Sequence, residues 1–98
     1  MYTEFEWDAD KAATNLHTHR VSFDDAVNVF ADPWALMARD PIEGGERRWR
    51  TLGMAGNCLI LLVAHTVGED DEGSAVIGVI SARTADRKER KRYEEQTR

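Results

Sequence analysis

From Tyr2 to Trp7 apolar and polar residues alternate, the two-residue period of a strand with one buried face. Asp8 stops that run and takes the N-cap position of a helix over about 9–19, with Asp10 in its first turn against the positive end of the helix dipole. The apolar stripe expected to be buried on that helix is narrow and small: Ala9, Ala12, Ala13 and Leu16. Ser22 and Asp25 have capping-box spacing, and Phe23, Ala26, Val27 and Phe30 fall on one stripe, so a second helix begins at Ser22. Asp32-Pro33 closes it, because proline disfavours helical geometry at the residue before it.

Beyond Pro33 the period returns to two. Trp34, Leu36 and Ala38 oppose Ala35, Met37 and Arg39 until a loop at Asp40 to Gly45. Arg48, Arg50 and Leu52 share one face of the next strand, and Arg47, Trp49 and Thr51 share the other. Gly53-Met54-Ala55-Gly56-Asn57 predicts a hairpin turn. The nearly unbroken apolar run from Cys58 to Val67 predicts a central strand covered on both faces, and Ala75 to Ala82 a further strand after the acidic loop Gly68 to Ser74. From Thr84 to about Gln96 propensity and charge pattern predict a helix with Tyr93 as its one large apolar anchor. The order predicts an α+β domain, an antiparallel sheet with two N-terminal helices and a C-terminal helix, the helices packed on one face.

Length changes this picture little: 98 residues suffice for one domain, over 1–98, with a modest core. No apolar run approaches the roughly 20 residues needed to cross a bilayer, and acids and a tryptophan stand where a signal peptide would be basic and then apolar, so no membrane role and a cytoplasmic location are expected. Cys58 is the only cysteine and can form neither an internal disulfide nor a metal cluster. The acidic loop Glu69-Asp70-Asp71-Glu72 lacks the spaced ligands of a calcium loop, and no metal or cofactor is expected. Charge changes it more. The net charge of −5 argues against a large nucleic-acid surface, but residues 83–98 hold seven Arg/Lys against four Asp/Glu. An acidic front with a basic tail suits a small cationic site for RNA, or for an acidic partner.

Of the three histidines, His17 reads as a surface residue and His65, inside the apolar strand, as a hydrogen-bonded core residue. His19 at the helix end either closes the C-terminus or serves a phosphate. Trp7, Trp34 and Trp49 at strands and strand ends read as packing residues.

The run Phe5-Glu6-Trp7-Asp8-Ala9-Asp10-Lys11-Ala12-Ala13-Thr14-Asn15-Leu16, followed by His19, Val21-Ser22-Phe23-Asp24-Asp25-Ala26 and Phe30-Ala31-Asp32-Pro33, resembles the BrnT family of bacterial toxins. The likeness continues through Glu46-Arg47-Arg48-Trp49-Arg50-Thr51-Leu52-Gly53, Val79-Ile80-Ser81-Ala82-Arg83 and the basic segment Arg87 to Glu95. It implies a RelE-like fold and a metal-independent endoribonuclease that inhibits translation and is neutralised by a BrnA-like antitoxin. It implies catalytic roles for His19, Arg48 and Arg83, since a planar guanidinium clamps phosphate oxygens through two bonds. Lys11 and Asn15, four apart on one polar side of the first helix, are then substrate-binding candidates. Arg87, Lys88, Lys91 and Tyr93 on the tail helix are candidates for docking the antitoxin, with RNA binding or a salt-bridged cover for the sheet as the other readings. DNA would be met only through the antitoxin, in an assembly with two copies of each chain.

Three positions depart from the resemblance. Arg20 stands where a glycine usually follows the histidine, Gly78 replaces a frequent arginine, and Met54 replaces a frequent basic residue. The cations lost at 78 and 54, together with the net charge of −5, leave a second reading, a non-catalytic partner of the antitoxin that acts as co-repressor on the same fold. A free-standing RNA-binding module is a third.

Overall fold

The computed structural model describes residues 3–40, 48–56 and 59–96. The expected roles of Tyr2, Arg47, Asn57 and Cys58, and the expected loop over 41–45, lie outside the described residues. In chain order the elements are β1 (Thr3–Glu6), α1 (Ala9–His19), α2 (Phe23–Ala26) continuing as a 3-10 turn (Val27–Ala31), β2 (Leu36–Arg39), β3 (Trp49–Ala55), β4 (Leu59–Glu69), β5 (Ala75–Thr84) and α3 (Arg87–Gln96).

Each helix starts where a side chain can meet its free amides. Asp8 Oδ1 accepts from the backbone N–H groups of Asp10 (2.8 Å) and Lys11 (3.1 Å), and Ser22 Oγ accepts from Asp25 at 3.0 Å. Asp86 and Glu89 form a reciprocal capping box before α3, each carboxylate taking the other's N–H at 2.8 Å.

The strands lie in the order β1-β5-β4-β3-β2, with the long apolar β4 at the centre as its composition predicts. From β2 to β5 neighbours pair antiparallel, but β1 pairs with β5 in parallel, Thr3 opposite Ala75 and Glu6 opposite Gly78. The sheet is therefore mixed, not antiparallel throughout. Alternation fixes which face of a strand is buried and leaves its neighbour and direction open.

A second correction concerns the helices, which do not share one face. Phe23, Ala26 and Val29 pack with Leu61, Val63, Val79 and Ala82 on one side of the sheet, while Tyr93 of α3 packs with Leu52, Ile60 and Ala85 on the other. Neighbours along β3 and β4 thus feed opposite cores, each large apolar side chain contributing roughly 1.5–3 kcal/mol when fully buried. A bulge keeps both cores filled on β5. Ala64 pairs with Ser81 but His65 with Val79, so Ile80 is the extra residue and Val79 and Ala82, three apart, reach the same core.

The predicted turn at Gly53 is also displaced, since β3 runs on to Ala55. A Cβ at Gly53 would lie 3.1 Å from Val29 Cβ and 3.2 Å from Ala35 Cβ, so this glycine admits the 3-10 turn against the strand. Helix α1 departs most from expectation. Leu16 is 50% exposed and Ala9 and Ala13 are exposed, whereas Asn15, at 5%, is the residue the helix buries. Of the expected stripe only Ala12 packs against the core, and the helix seats itself on the sheet through Ala12 and Asn15.

Arg20 ends α1 in the left-handed region, φ 61° and ψ 27°, its N–H donating to Leu16 O at 3.0 Å. A side chain there is strained in a way glycine is not. Arg20→Gly is expected to stabilise the fold by about 1 kcal/mol, read as a higher urea midpoint at unchanged slope.

Candidate functional site

The pairing of β1 with β5 ends at Gly78, so the outer edge of β5 beyond it has no strand neighbour. Asn15 takes that place. Its Nδ2 donates to Ala82 O (2.9 Å) and to Val21 O (2.9 Å), and its Oδ1 accepts from Ala82 N at 3.0 Å. One carboxamide thus stands in for a peptide unit of a missing strand and ties α1 to the edge of the sheet.

Lys11, Thr14, Asn15, Thr18 and His19 recur at helical spacing and line, with Asp10, one wall of an open groove of about 560 Å³; Arg48, Ile80 and Ser81 complete it. Arg48 enters from the start of β3. Asp40 N donates to Arg48 O at 2.9 Å, extending the β2–β3 ladder by one step. Arg50, Ala64 and Ser81 are cross-strand partners, and Arg48, two residues earlier, shares their face, so its side chain crosses a floor of small residues toward α1. Its Nε is buried and has no hydrogen-bond partner among the described residues. Leaving such a donor unmet costs roughly 1–3 kcal/mol, a cost that an anion in the groove would remove.

The groove thus gathers Lys11, Asn15, His19 and Arg48 and leaves Arg83 out. Arg83 lies opposite Leu62, two residues beyond Ser81 on the same face of the sheet as Arg48 and Arg50, but its Nη1 and Nη2 donate to Glu89 Oε1 (2.8 Å) and Oε2 (3.0 Å) on α3. The bond to Glu89 raises the Arg83 pKa and that to Arg83 lowers the Glu89 pKa. Of the two arginines expected to act together, Arg48 lines the groove and Arg83 is held by Glu89 of α3. Asn15, expected to hold substrate, has both amide hydrogens committed to backbone carbonyls and so positions the groove wall.

Tyr93 is a further correction. It is 3% exposed, and its hydroxyl donates to Asp32 Oδ2 at 2.5 Å, which leaves no ring surface for an antitoxin or a base. Burial and Asp32 push the Tyr93 pKa up to about 12. Burial alone would raise the Asp32 carboxyl, but the bonds from Tyr93, Met54 N (2.8 Å) and Trp34 N (2.9 Å) outweigh it and hold it below the usual range. Met54 itself packs into the α3 core, the physical reason an apolar residue suits that position. Helix α3 is a cover for the sheet, and Arg87, Lys88 and Lys91 lie exposed on it.

His17 is exposed, and His65 is fully buried. His65 Nδ1 faces the carbonyl of Thr66 at 3.2 Å and so donates to it, leaving Nε2 to accept from Thr51 Oγ1 at 2.7 Å; the Phe30 ring packs nearly perpendicular to the imidazole with centroids 4.8 Å apart. Burial lowers its pKa from the ordinary 6.5, with the Thr66 bond acting weakly the other way. The unfolded chain therefore takes up this proton first, so stability should hold above pH 6.5 and fall as pH drops below it toward the folded value. Urea midpoints measured from about pH 7.5 to about pH 5.5 should fall for the wild type and stay nearly flat for His65→Gln.

Reasoning from the sequence missed Thr14, Thr18, Ile80 and Ser81. The signal for the first two was present: an unbroken polar stripe at 11, 14, 15 and 18 beside the alanines. Among the described residues no three His, Cys, Asp or Glu side chains converge to hold a metal ion, and no helix is long and apolar enough to cross a membrane.

The family model described as "Ribonuclease toxin, BrnT, of type II toxin-antitoxin system" matches residues 7–89. Among solved structures, the crystal structure of the Brucella abortus ribonuclease toxin BrnT matches with a TM-score of 0.59 at 22% identity, covering 89% of this chain and 100% of that one. That likeness bears on the fold. A search of curated proteins finds no match.

Proposed function

This chain belongs to the BrnT family of ribonuclease toxins of type II toxin-antitoxin systems, and on that premise we propose that the groove between α1 and β5 is where it cleaves RNA. The observation that carries the reading is the convergence of Lys11, His19 and Arg48 on one groove, with the Nε of Arg48 buried and unpaired among the described residues.

The cleavage proposed is metal-independent, on a fold of RelE-like kind. The 2′-oxygen attacks the adjacent phosphorus, the bond to the 5′-oxygen breaks, and a cyclic phosphate forms. Arg48 and Lys11 hold the phosphate and offset the charge that builds on it. His19, which lines the groove, takes the 2′-hydroxyl proton or supplies one to the leaving 5′-oxygen, and water exchanges the other proton. Arg83 does not enter this scheme while Glu89 holds it.

A type II toxin is paired with an antitoxin, proposed to be BrnA-like and to dock on the exposed basic side of α3 through Arg87, Lys88 and Lys91. DNA contact would come only from that partner, in a cytoplasmic assembly with two copies of each chain. One observation favours the alternative of a non-catalytic partner: Arg83 is bound in an internal ion pair, so the groove holds fewer cations than expected. Induction of the wild-type chain with RNA profiling decides between them. Growth arrest with RNA cleavage by the purified protein supports the nuclease; neither effect, with antitoxin binding retained, supports the alternative.

A further inference from the structure

The groove does not end at Lys11. A second cavity of about 350 Å³ shares Lys11 and Ile80 with it and continues past the N-terminus of α1, between Glu6, Trp7 and Asp8 on one side and Thr66 on the other. Its floor is Gly78, flanked in register by Glu6 on β1 and Thr66 on β4. A Cβ at 78 would lie 2.5 Å from Thr66 Oγ1, so any side chain there would force Thr66 aside and intrude on this floor.

This extension differs from the groove in sign. A phosphate is held among Lys11, His19 and Arg48 and repelled beside Glu6 and Asp8, so what a bound RNA strand can place here is a base. Trp7 packs edge-on against Phe23 with ring centroids 5.8 Å apart, yet remains 37% exposed, enough to offer a surface for a base to rest on. Carboxylates accept hydrogen bonds and donate none. Guanine is the base whose pairing edge presents two adjacent donors, N1–H and the N2 amino group, to the two oxygens of one carboxylate. Adenine, cytosine and uracil each set an acceptor beside their donor, which a carboxylate repels.

We propose that this cavity is a guanine-selective subsite for the nucleotide next to the phosphate held in the groove, with Glu6 reading the pairing edge and Trp7 carrying the ring. The proposal rests on the groove as the RNA site, and it is tested by binding so that it can fail separately from cleavage. Fluorescence anisotropy with short oligouridine, carrying 2′-fluoro groups so that it cannot be cut, is compared with the same strand bearing one guanine, adenine or cytosine at each position in turn. The full-length protein is expected to bind roughly tenfold tighter when guanine occupies one particular position, and Glu6→Gln to lose most of that advantage. Asp71→Asn, a change of the same charge in the distant loop, should keep it. Equal binding of all four bases, preference for another base, or a guanine advantage that survives Glu6→Gln overturns the subsite. If the protein cuts RNA without guanine preference, the nuclease reading stands and the subsite falls; guanine-selective binding without cutting gives the reverse.

Discussion

Arg48→Ala is expected to slow RNA cleavage by roughly 100- to 1,000-fold, the loss typical when one preorganised donor to a transition-state anion is removed. The side chain lines the groove, and its Nε has no partner among the described residues, so the variant should fold about as well as the wild type. Arg48→Lys keeps the charge but not the planar fork and should recover only part of the rate. The measurement is initial cleavage velocity on a defined RNA, with thermal melting alongside. Arg83→Ala is the informative contrast, since it disrupts an anchor of α3 and should cost stability more than rate. If alanine at 83 abolished cleavage while alanine at 48 left it intact, the groove would be the wrong site.

Asn15→Ala should be the most destabilising polar substitution on α1. It removes three hydrogen bonds of 2.9–3.0 Å and leaves the Ala82 N–H and two carbonyls without their partner at a buried edge, a loss of roughly 3 kcal/mol. For a domain of this size that lowers the melting temperature by on the order of 10 °C or more. Asn15→Asp should be worse, because it sets a carboxylate against the carbonyls of Val21 and Ala82. A drop of less than about 1 kcal/mol for alanine would mean that water replaces the carboxamide and that α1 is held by other contacts. The helix also carries Lys11 and His19, so RNA affinity should fall in parallel with stability.

Local signals in the sequence placed the caps, the central strand and the α3 helix well. Asp8, Ser22 and Pro33 act within a few residues of themselves, and that range is what a sequence displays. The two cores on opposite faces were legible only in part: the alternation of β3 was visible, but the apolar run of β4 hid which neighbour went to which face. The parallel partner of β1 was not legible, because local alternation says nothing of a strand that lies far along the chain, with Thr3 opposite Ala75. For α1 the error was one of weighting. Alanines suggested a buried stripe, whereas the helix packs only Ala12 on the core, buries Asn15 at the strand edge and exposes Leu16, since a strand edge demands hydrogen bonds before it rewards apolar area. At the site, the expected residues on α1 and Arg48 fell together, and Arg83 did not, because Glu89 six residues on gave its guanidinium a nearer partner.

The side-chain bonds that hold the helices to the sheet join distant parts of the chain: Asn15, in the groove wall, reaches 67 residues ahead to Ala82, and Asp32 reaches 61 to Tyr93 of α3. Such pairings form late, because chain entropy opposes them until both ends exist. During synthesis α1 therefore emerges from the ribosome well before the strand it must meet, and a nascent chain broken off ahead of residue 80 has no floor for the groove. A chain cut short before residue 80 would lack Ile80 and Ser81 and so should bind no RNA in the groove.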